Sequence, residues 1–288
     1  MNPLLEKMTH IIPDRLYVEL RFIQRMHRKL NLDNPQTYSE KLQWLKLHYH
    51  NPILIKLVDK AEVKSWAAER IGEEHVIPTL GVWDCFDEIN FDELPNAFVL
   101  KCTHDSGGNY IVTDKSKMNV ELARKKLESH LKVNYYWHMR EWPYKYVKPR
   151  ILAEEYMVDE SGYELKDYKF FCFDGKVKYL FVATDRSIQG KEIKFDFFDE
   201  NFSHLPIKNG HKNADRELLR PLGFEIMKEY ASILSKGFPE SRVDFYDING
   251  SVYFGEITFY HWGGLMPFEP EEWDRIFGEQ IVLPRIKL

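Results

Sequence analysis

The sequence is poor in cysteine. Its 288 residues hold three, Cys85, Cys102 and Cys172, far apart and with no CxxC pair. That spacing argues against a disulfide framework or a zinc site and favours a reducing cytoplasm. No run of about 18 apolar residues occurs, so no segment is expected to span a bilayer. The opening MNPLLEKMTHIIPDR has no long apolar core, so no secretory signal is expected. Positive charge is not in excess either. Forty Lys and Arg stand against 45 Asp and Glu, for a net charge of −5, which argues against a general nucleic-acid surface. Internal repeats and low-complexity tracts are also lacking.

Aromatic residues are plentiful, at 15% of the chain, and supply large side chains for a core. The first fifty residues read as helical. Leu16, Leu20, Ile23 and Met26 recur at three- and four-residue steps, the spacing of one apolar helix face. The basic residues around them read as a solvated face, or as a stripe for an anionic polymer or a membrane surface. Thr37 or Ser39 can cap a second helix with Leu42, Leu45 and Tyr49 inward. Asp59 can cap a third, which Gly72 ends. VIPTLGVWDCF, AFVLKC and NYIVTD read as strands. One long helix is expected from Asn119 to His138, with Leu122, Leu127 and Leu131 among its apolar positions. An aromatic and basic loop follows, from Arg140 to Arg150. ILAEEYMV and EIKFDFFDENF read as further strands. Two hairpins are expected, around Asp174-Gly175 and Asn249-Gly250. Between them, residues 214–237 read as a helix. The sum is an α+β chain with antiparallel sheets rather than a doubly wound parallel sheet.

Three segments could carry chemistry. In RVDFYDINGSVYFGEITF, Arg242 and Asp244 share one face of a strand, and Glu256 and Thr258 share one face of the next. A strict two-residue turn would set Asp244 opposite Gly255 and turn Glu256 away. A three-residue loop or a bulge would bring all four to one side. Two carboxylates and a hydroxyl there would be hard oxygen ligands of the kind Mg²⁺ takes. The other reading is a solvated hairpin face. In VLKCTHDSGGNYIV, Lys101 precedes a loop whose Gly107 and Gly108 let the backbone approach an anion. A glycine hairpin turn would have the same sequence. In ILAEEYMVDES, Glu154 and Glu155 end an apolar strand, where a nucleotide base could lie or where one buried and one exposed carboxylate would suffice. His104, Asp105 and Ser106 are consecutive and so do not form a catalytic triad, whose members converge from separate elements. His261 reads equally as a core histidine or a substrate contact.

These segments, in this order, resemble the ATP-grasp fold. YSEKLQWLKL, LPNAFVLKCTHDSGGN, DYKFFCFDGK and YFGEITFYHWGG more closely resemble the TupA-like ATP-grasp family of teichuronopeptide biosynthesis, over roughly residues 30–285. Members of that family accompany capsule and surface-polysaccharide genes and often carry a glycosyltransferase label. The resemblance implies a helical N-terminal region (1–58), an N-terminal ATP-grasp part with a glycine-rich lid (59–153) and a C-terminal part with a metal-binding hairpin (154–288). It implies that Lys60 and Lys101 contact ATP phosphates and that Ser106, Gly107, Gly108 and Asn109 close over them. Glu154 would bond the adenine amino group, Glu155, Tyr156 and Met157 would form the hinge, and Asp159 or Glu160 would reach the ribose. Lys169 would contact the γ-phosphate. Asp244 and Glu256 would hold Mg²⁺, which favours the longer hairpin loop. Arg242 would steady the transferred phosphoryl group. Thr258 stands where such ligases usually carry a third, asparagine ligand.

The implied reaction is ATP- and Mg²⁺-dependent ligation of a carboxylate to an amine through an acylphosphate. The implied partners are an acidic sugar or polysaccharide precursor and an amine or amino acid. The implied location is the cytoplasm or the inner face of the membrane, beside membrane-bound polysaccharide machinery. The alternatives are a sugar kinase, a metal-dependent glycosyltransferase, and a polysaccharide-binding module using Trp137, Trp142 and Tyr144 as stacking platforms.

Overall fold

A computed structural model describes residues 9–159, 161–162, 165–185 and 192–285. Helix α1 (Asp14–Met26) opens it, followed by α2 (Tyr38–His48), α3 (Ile53–Val58) and α4 (Glu62–Ile71). Thr37 and Glu40 form a reciprocal capping box at the start of α2. Asp59 accepts the backbone N–H groups of Ala61 and Glu62, and Gly72, at φ 99°, ends α4.

Strands β1 (Thr79–Trp83), β2 (Phe98–Cys102), β3 (Asn109–Val112) and β4 (Ile151–Glu155) form an antiparallel sheet in the order β1-β4-β2-β3. One face buries Phe98, Leu100 and Ala153 against Ala123 and Leu127 of helix α5 (Val120–Leu131). By strand alternation, Val99, Lys101, Leu152 and Glu154 occupy the other face.

The second sheet is larger. Strands β5 (Asp167–Phe173), β6 (Lys176–Thr184), β7 (Lys194–Asp199), β8 (His204–Leu205), β10 (Ser241–Ile248) and β11 (Ser251–Thr258) run in the order β11-β10-β5-β6-β7-β8. Helix α7 (Phe224–Ser235) covers one face, with Phe224 against Phe170. On the other face Phe171 packs edge-on against Tyr38 of α2 and Phe277 of helix α8 (Glu272–Gln280). A two-stranded ribbon pairs β9 (Lys208–Asn209) with β12 (Phe268–Glu269).

Three expectations need correction. In α1 the buried residues are Tyr17, Val18 and Phe22, while Leu16, Leu20 and Ile23 are exposed. The helix therefore packs through its aromatic side, not through the stripe with the regular spacing. The long helix expected to His138 ends at Leu131, and a short helix α6 (Tyr136–Met139) follows. Asn134 starts it by accepting the Tyr136 N–H. Residues 214–222 are not helical. Helix α7 begins only after Pro221 and Gly223, consistent with the rigid φ and missing N–H of proline.

Candidate active site

The β10–β11 hairpin closes in two residues. Asn249 and Gly250 both take positive φ, at 53° and 89°, as a type I′ turn requires. The longer loop is therefore absent, and a bulge performs the task instead. Pairing runs Ile248↔Ser251 to Phe245↔Phe254, skips Gly255, then resumes as Asp244↔Glu256 and Arg242↔Thr258. The extra residue reverses the parity and brings all four polar side chains to one face. Lys169 on β5 lies opposite Asp244 from the other side.

Arg242 is the centre of this face. Its guanidinium forks onto Asp244, with Nε and an Nη at 2.7 and 2.8 Å from the two carboxylate oxygens. The same Nη donates to Thr258 Oγ1 at 3.1 Å and lies 3.4 Å from Glu256 Oε1. The other Nη donates to His261 Nδ1 at 2.7 Å. His261 Nε2 in turn meets Asn209 Oδ1 at 2.9 Å, and the Asn209 amide donates to the carbonyls of Met266 and Pro267. The chain of donors fixes the tautomer: Nε2 carries the proton and Nδ1 accepts from arginine. Burial, with Arg242 and Lys169 close by, pushes the imidazole pKa well below its usual value, so the ring is neutral. Lys169 ion-pairs with Asp244. Burial lowers its ammonium pKa more than Asp244 restores it.

On the smaller sheet, Lys101 Nζ lies 2.5 Å from Glu154 Oε2, and Lys64 Nζ lies 2.6 Å from Oε1. Glu154 is buried. Burial opposes its charge, but the two lysines outweigh that and hold its carboxyl below the usual range. Glu154 is thus gripped by two cations. Glu155 is exposed, with its N–H on Pro78 O, and Tyr156 and Met157 are half-buried beyond it. Asp159 accepts from Ser161 and from Lys166 Nζ at 2.6 Å. Glu160 lies outside the described residues.

The loop between β2 and β3 is anchored at its base and open at its tip. Lys60 Nζ donates to Asp105 O, and His104 Nε2 meets Val133 O at 2.9 Å. Asp105 pairs with His130 Nδ1 on α5. A Cβ on Gly108 would stand 2.7 Å from Asp105 Oδ1, so any larger residue there would have to displace that carboxylate. Ser106 and Gly107 are exposed at the tip, and Asn109 pairs with Lys101 at the start of β3. Asp105 therefore pins the loop to α5, and His104 pins it to Val133 just beyond that helix.

Glu256 shows where these parts meet. Burial opposes its charge, but Lys60, Lys169, Arg242 and Lys101 together hold its carboxyl down to about 2. Cations from the loop base, both sheets and the hairpin act on one carboxylate. Its side chain is still 39% exposed, so it stays reachable by a ligand. For Mg²⁺ the two carboxylates differ. Glu256 is charged and open, with only the long contact to Arg242. Both oxygens of Asp244 are occupied by Arg242, and the Thr258 hydroxyl accepts from the same group. Among the described residues no cluster of three or more His, Cys, Asp or Glu could hold a metal alone. The donor set fits a cation that shares its shell with phosphate oxygens.

Sequence reasoning missed Lys64 and Asn209. Lys64 stands four residues after Lys60, which was a usable signal. Asn209 lies on a two-residue strand, where no local pattern marks it. The expected stacking platforms are already engaged, with Trp137 against His10 and Trp142 against His50.

A family model described as TupA-like ATPgrasp matches residues 40–282. Among solved structures, the chain is similar to a D-alanine–D-alanine ligase from Bacillus anthracis complexed with ATP, at 18% identity and a TM-score of 0.39, covering 71% of this chain and 54% of that one. An ATP-grasp ligase, PsnB, complexed with a phosphomimetic variant of its minimal precursor, Mg and ADP is 11% identical, with a TM-score of 0.43 and coverage of 77% and 57%. The D-alanine–D-alanine ligase of Helicobacter pylori is 16% identical, with a TM-score of 0.41 and coverage of 85% and 69%. The chain spans a little over half the length of the first two. No curated protein matches.

Proposed function

The chain belongs to the TupA-like ATP-grasp family, and from that premise we propose that it is an ATP- and Mg²⁺-dependent carboxylate–amine ligase. The observation that carries the reading is the convergence of Lys60, Lys101, Lys169 and Arg242 on Glu256. A triphosphate needs several cations and one open carboxylate for its metal, and this face offers both. Phosphoryl transfer asks a protein mainly for alignment and charge neutralisation.

In the proposed reaction a substrate carboxylate oxygen bonds to the γ-phosphorus and the bond to the β–γ bridging oxygen breaks, releasing ADP. The acceptor, having given up its ammonium proton, then bonds through nitrogen to the acyl carbon, the carbon–oxygen bond to phosphate breaks, and the second nitrogen proton leaves to the released phosphate or to water. Lys60 and Lys101 would contact the phosphates beneath the Ser106–Asn109 tip. Lys169 would stabilise the γ-phosphoryl oxygens, and Arg242, braced by His261, the transferring group and the later oxyanion. Glu256 would hold Mg²⁺ with phosphate oxygens. When bound, that ion would supply charge neutralisation and in-line alignment. Asp244 would serve first as the counter-charge that orients Arg242 and Lys169. Glu154 would accept from the adenine amino group on exchanging one lysine partner, with Glu155 to Met157 as hinge and Asp159 toward the ribose.

The donor acid we propose is a uronic or other acidic sugar of a surface polysaccharide, and the acceptor an amino acid or other amine. This rests on the family resemblance, an argument by association. Among the described residues no helix is long and apolar enough to cross a membrane, and a cytoplasmic site at the inner membrane face remains part of the proposal. The test is incubation with ATP, Mg²⁺, acidic sugars and mixed amino acids, read by mass. An amide product with ADP and inorganic phosphate is expected. A phosphorylated sugar would make the protein a kinase instead.

A further inference from the structure

The nucleotide cluster draws on residues from Lys60 onward, and the N-terminal helices lead to a different group. Glu141, just beyond α6, is 4% exposed. Among the described residues its carboxylate accepts no hydrogen bond and makes no ion pair, and Lys46 acts on it only at longer range. Its oxygens are not fully enclosed. Lys46 on α2, also buried, is committed elsewhere: it donates to Gly263 O at 2.6 Å and to Gln43 Oε1 at 3.0 Å. Both groups face Gly263, where a Cβ would stand 3.4 Å from Glu141 Oε1 and 3.5 Å from Lys46 Nζ. Gly263 lies two residues after His261, the residue that braces Arg242.

Two tyrosines tie this spot to the nucleotide cluster. The rings of Tyr135 and Tyr144 lie 5.2 Å apart. Both phenols feel the charge of Glu141 and of Glu256, and Tyr144 that of Arg242 as well. The geometric link is Gly263, beside Glu141 and two residues after the histidine that accepts from Arg242, so the unpaired carboxylate lies within electrostatic reach of the face where the acyl group would be activated. A buried carboxylate without a donor is destabilising unless a ligand pairs with it. Chemistry and position together select the ligand, a positively charged nitrogen.

We propose that Glu141 is the subsite for the ammonium group of the acceptor amine, with Tyr135 and Tyr144 as its walls. This rests on the ligase reading above. Burial, against the pull of Lys46, pushes the Glu141 carboxyl up to about 7, which suits a group that ionises fully only when a cation arrives. The assignment also gives the N-terminal helices a task, because α2, through Lys46, holds the Gly263 carbonyl beside Glu141 and α1 braces the Tyr136–Arg140 segment.

The experiment is thermal melting of wild type and Glu141→Gln with ATP–Mg²⁺, alone and with each protein amino acid or ethanolamine at millimolar concentration. In the wild type at least one amine should raise the melting temperature above that with ATP–Mg²⁺ alone. Glu141→Gln should lose that increment and keep the one from ATP–Mg²⁺. Unliganded Glu141→Gln should melt no lower than wild type, since it removes a buried carboxyl that no donor satisfies. Equal amine increments in both proteins, no amine increment in the wild type, or a markedly lower unliganded melting temperature for Glu141→Gln would each overturn the subsite. Absence of an ATP–Mg²⁺ increment in the wild type would overturn the ligase reading itself.

Discussion

Glu240, just before β10, and Glu256, on β11, are carboxylates with opposite fates. Glu256 lies in the field of four cations, which keeps it ionised down to about pH 2. Its charge contributes stability above the ordinary carboxylate range and loses it as the pH falls toward that value. Glu240 is buried with the Tyr38 hydroxyl on Oε1 at 2.8 Å and no partner on Oε2. Burial pushes it up to about 8, against the Tyr38 hydrogen bond and Arg242. The folded protein thus keeps a proton that the unfolded chain releases near 4.5, so stability falls as the pH rises from there through about 8. Denaturant midpoints across that window should drop in the wild type and stay flatter in Glu240→Gln. Identical slopes in the two proteins would remove Glu240 from the account. Sequence indicates which of these side chains are charged. Which stays charged depends on neighbours such as Lys60 and Tyr38, from distant parts of the chain.

Single glycines set the geometry of the elements. Gly255 is the bulge residue that brings Glu256 opposite Asp244. In the sequence it looks like any strand glycine, so the hairpin turn was legible and its register was not. Gly108 has no room for a side chain unless Asp105 moves. In Gly108→Ala the new methyl would push Asp105 off His130 and loosen the loop. We expect ATP affinity to fall about tenfold, equivalent to ~1.4 kcal/mol, with the melting temperature little changed. Unaltered affinity by calorimetry would mean that the loop anchor does not matter for binding. Helix α1 offers a second test. The spacing of Leu16, Leu20 and Ile23 suggested a core face, but Tyr17, Val18 and Phe22 fill that role. Both sides of the helix are apolar, and periodicity alone does not choose between them. Leu20→Asp should shift stability by less than about 0.5 kcal/mol. Phe22→Ala should cost roughly 3–5 kcal/mol. The reverse order in urea melts would contradict the packing of α1.

Across the whole molecule, the candidate site draws its side chains from two separate antiparallel sheets. Lys101 and Glu154 come from the smaller sheet, and Lys169, Arg242, Asp244 and Glu256 from the larger. Lys101, Glu154 and the Arg242–Thr258 hairpin were readable from turns, strand ends and strand alternation, whereas Lys169, within β5, was marked only by the family resemblance. The helices of the N-terminal region were legible too, but their packing role was not, since it appears only in contacts with residues far along the chain. Arg140 shows this: it is buried, lies 4.1 Å over the Tyr17 ring and pairs with Asp14 at 2.8 Å. Those contacts hold α1 against the segment that carries Glu141.

The account stands on one claim, that the cations around Glu256 form a nucleotide site. Calorimetric titration of ATP with Mg²⁺ into wild type and Lys101→Ala tests it most directly. A lost charge-assisted hydrogen bond is worth about 1.5–3 kcal/mol. The wild type should therefore bind ATP, and Lys101→Ala should bind it roughly 10- to 100-fold more weakly while unfolding as cooperatively as the parent. No heat of binding in the wild type, or equal affinity in the variant, would contradict it.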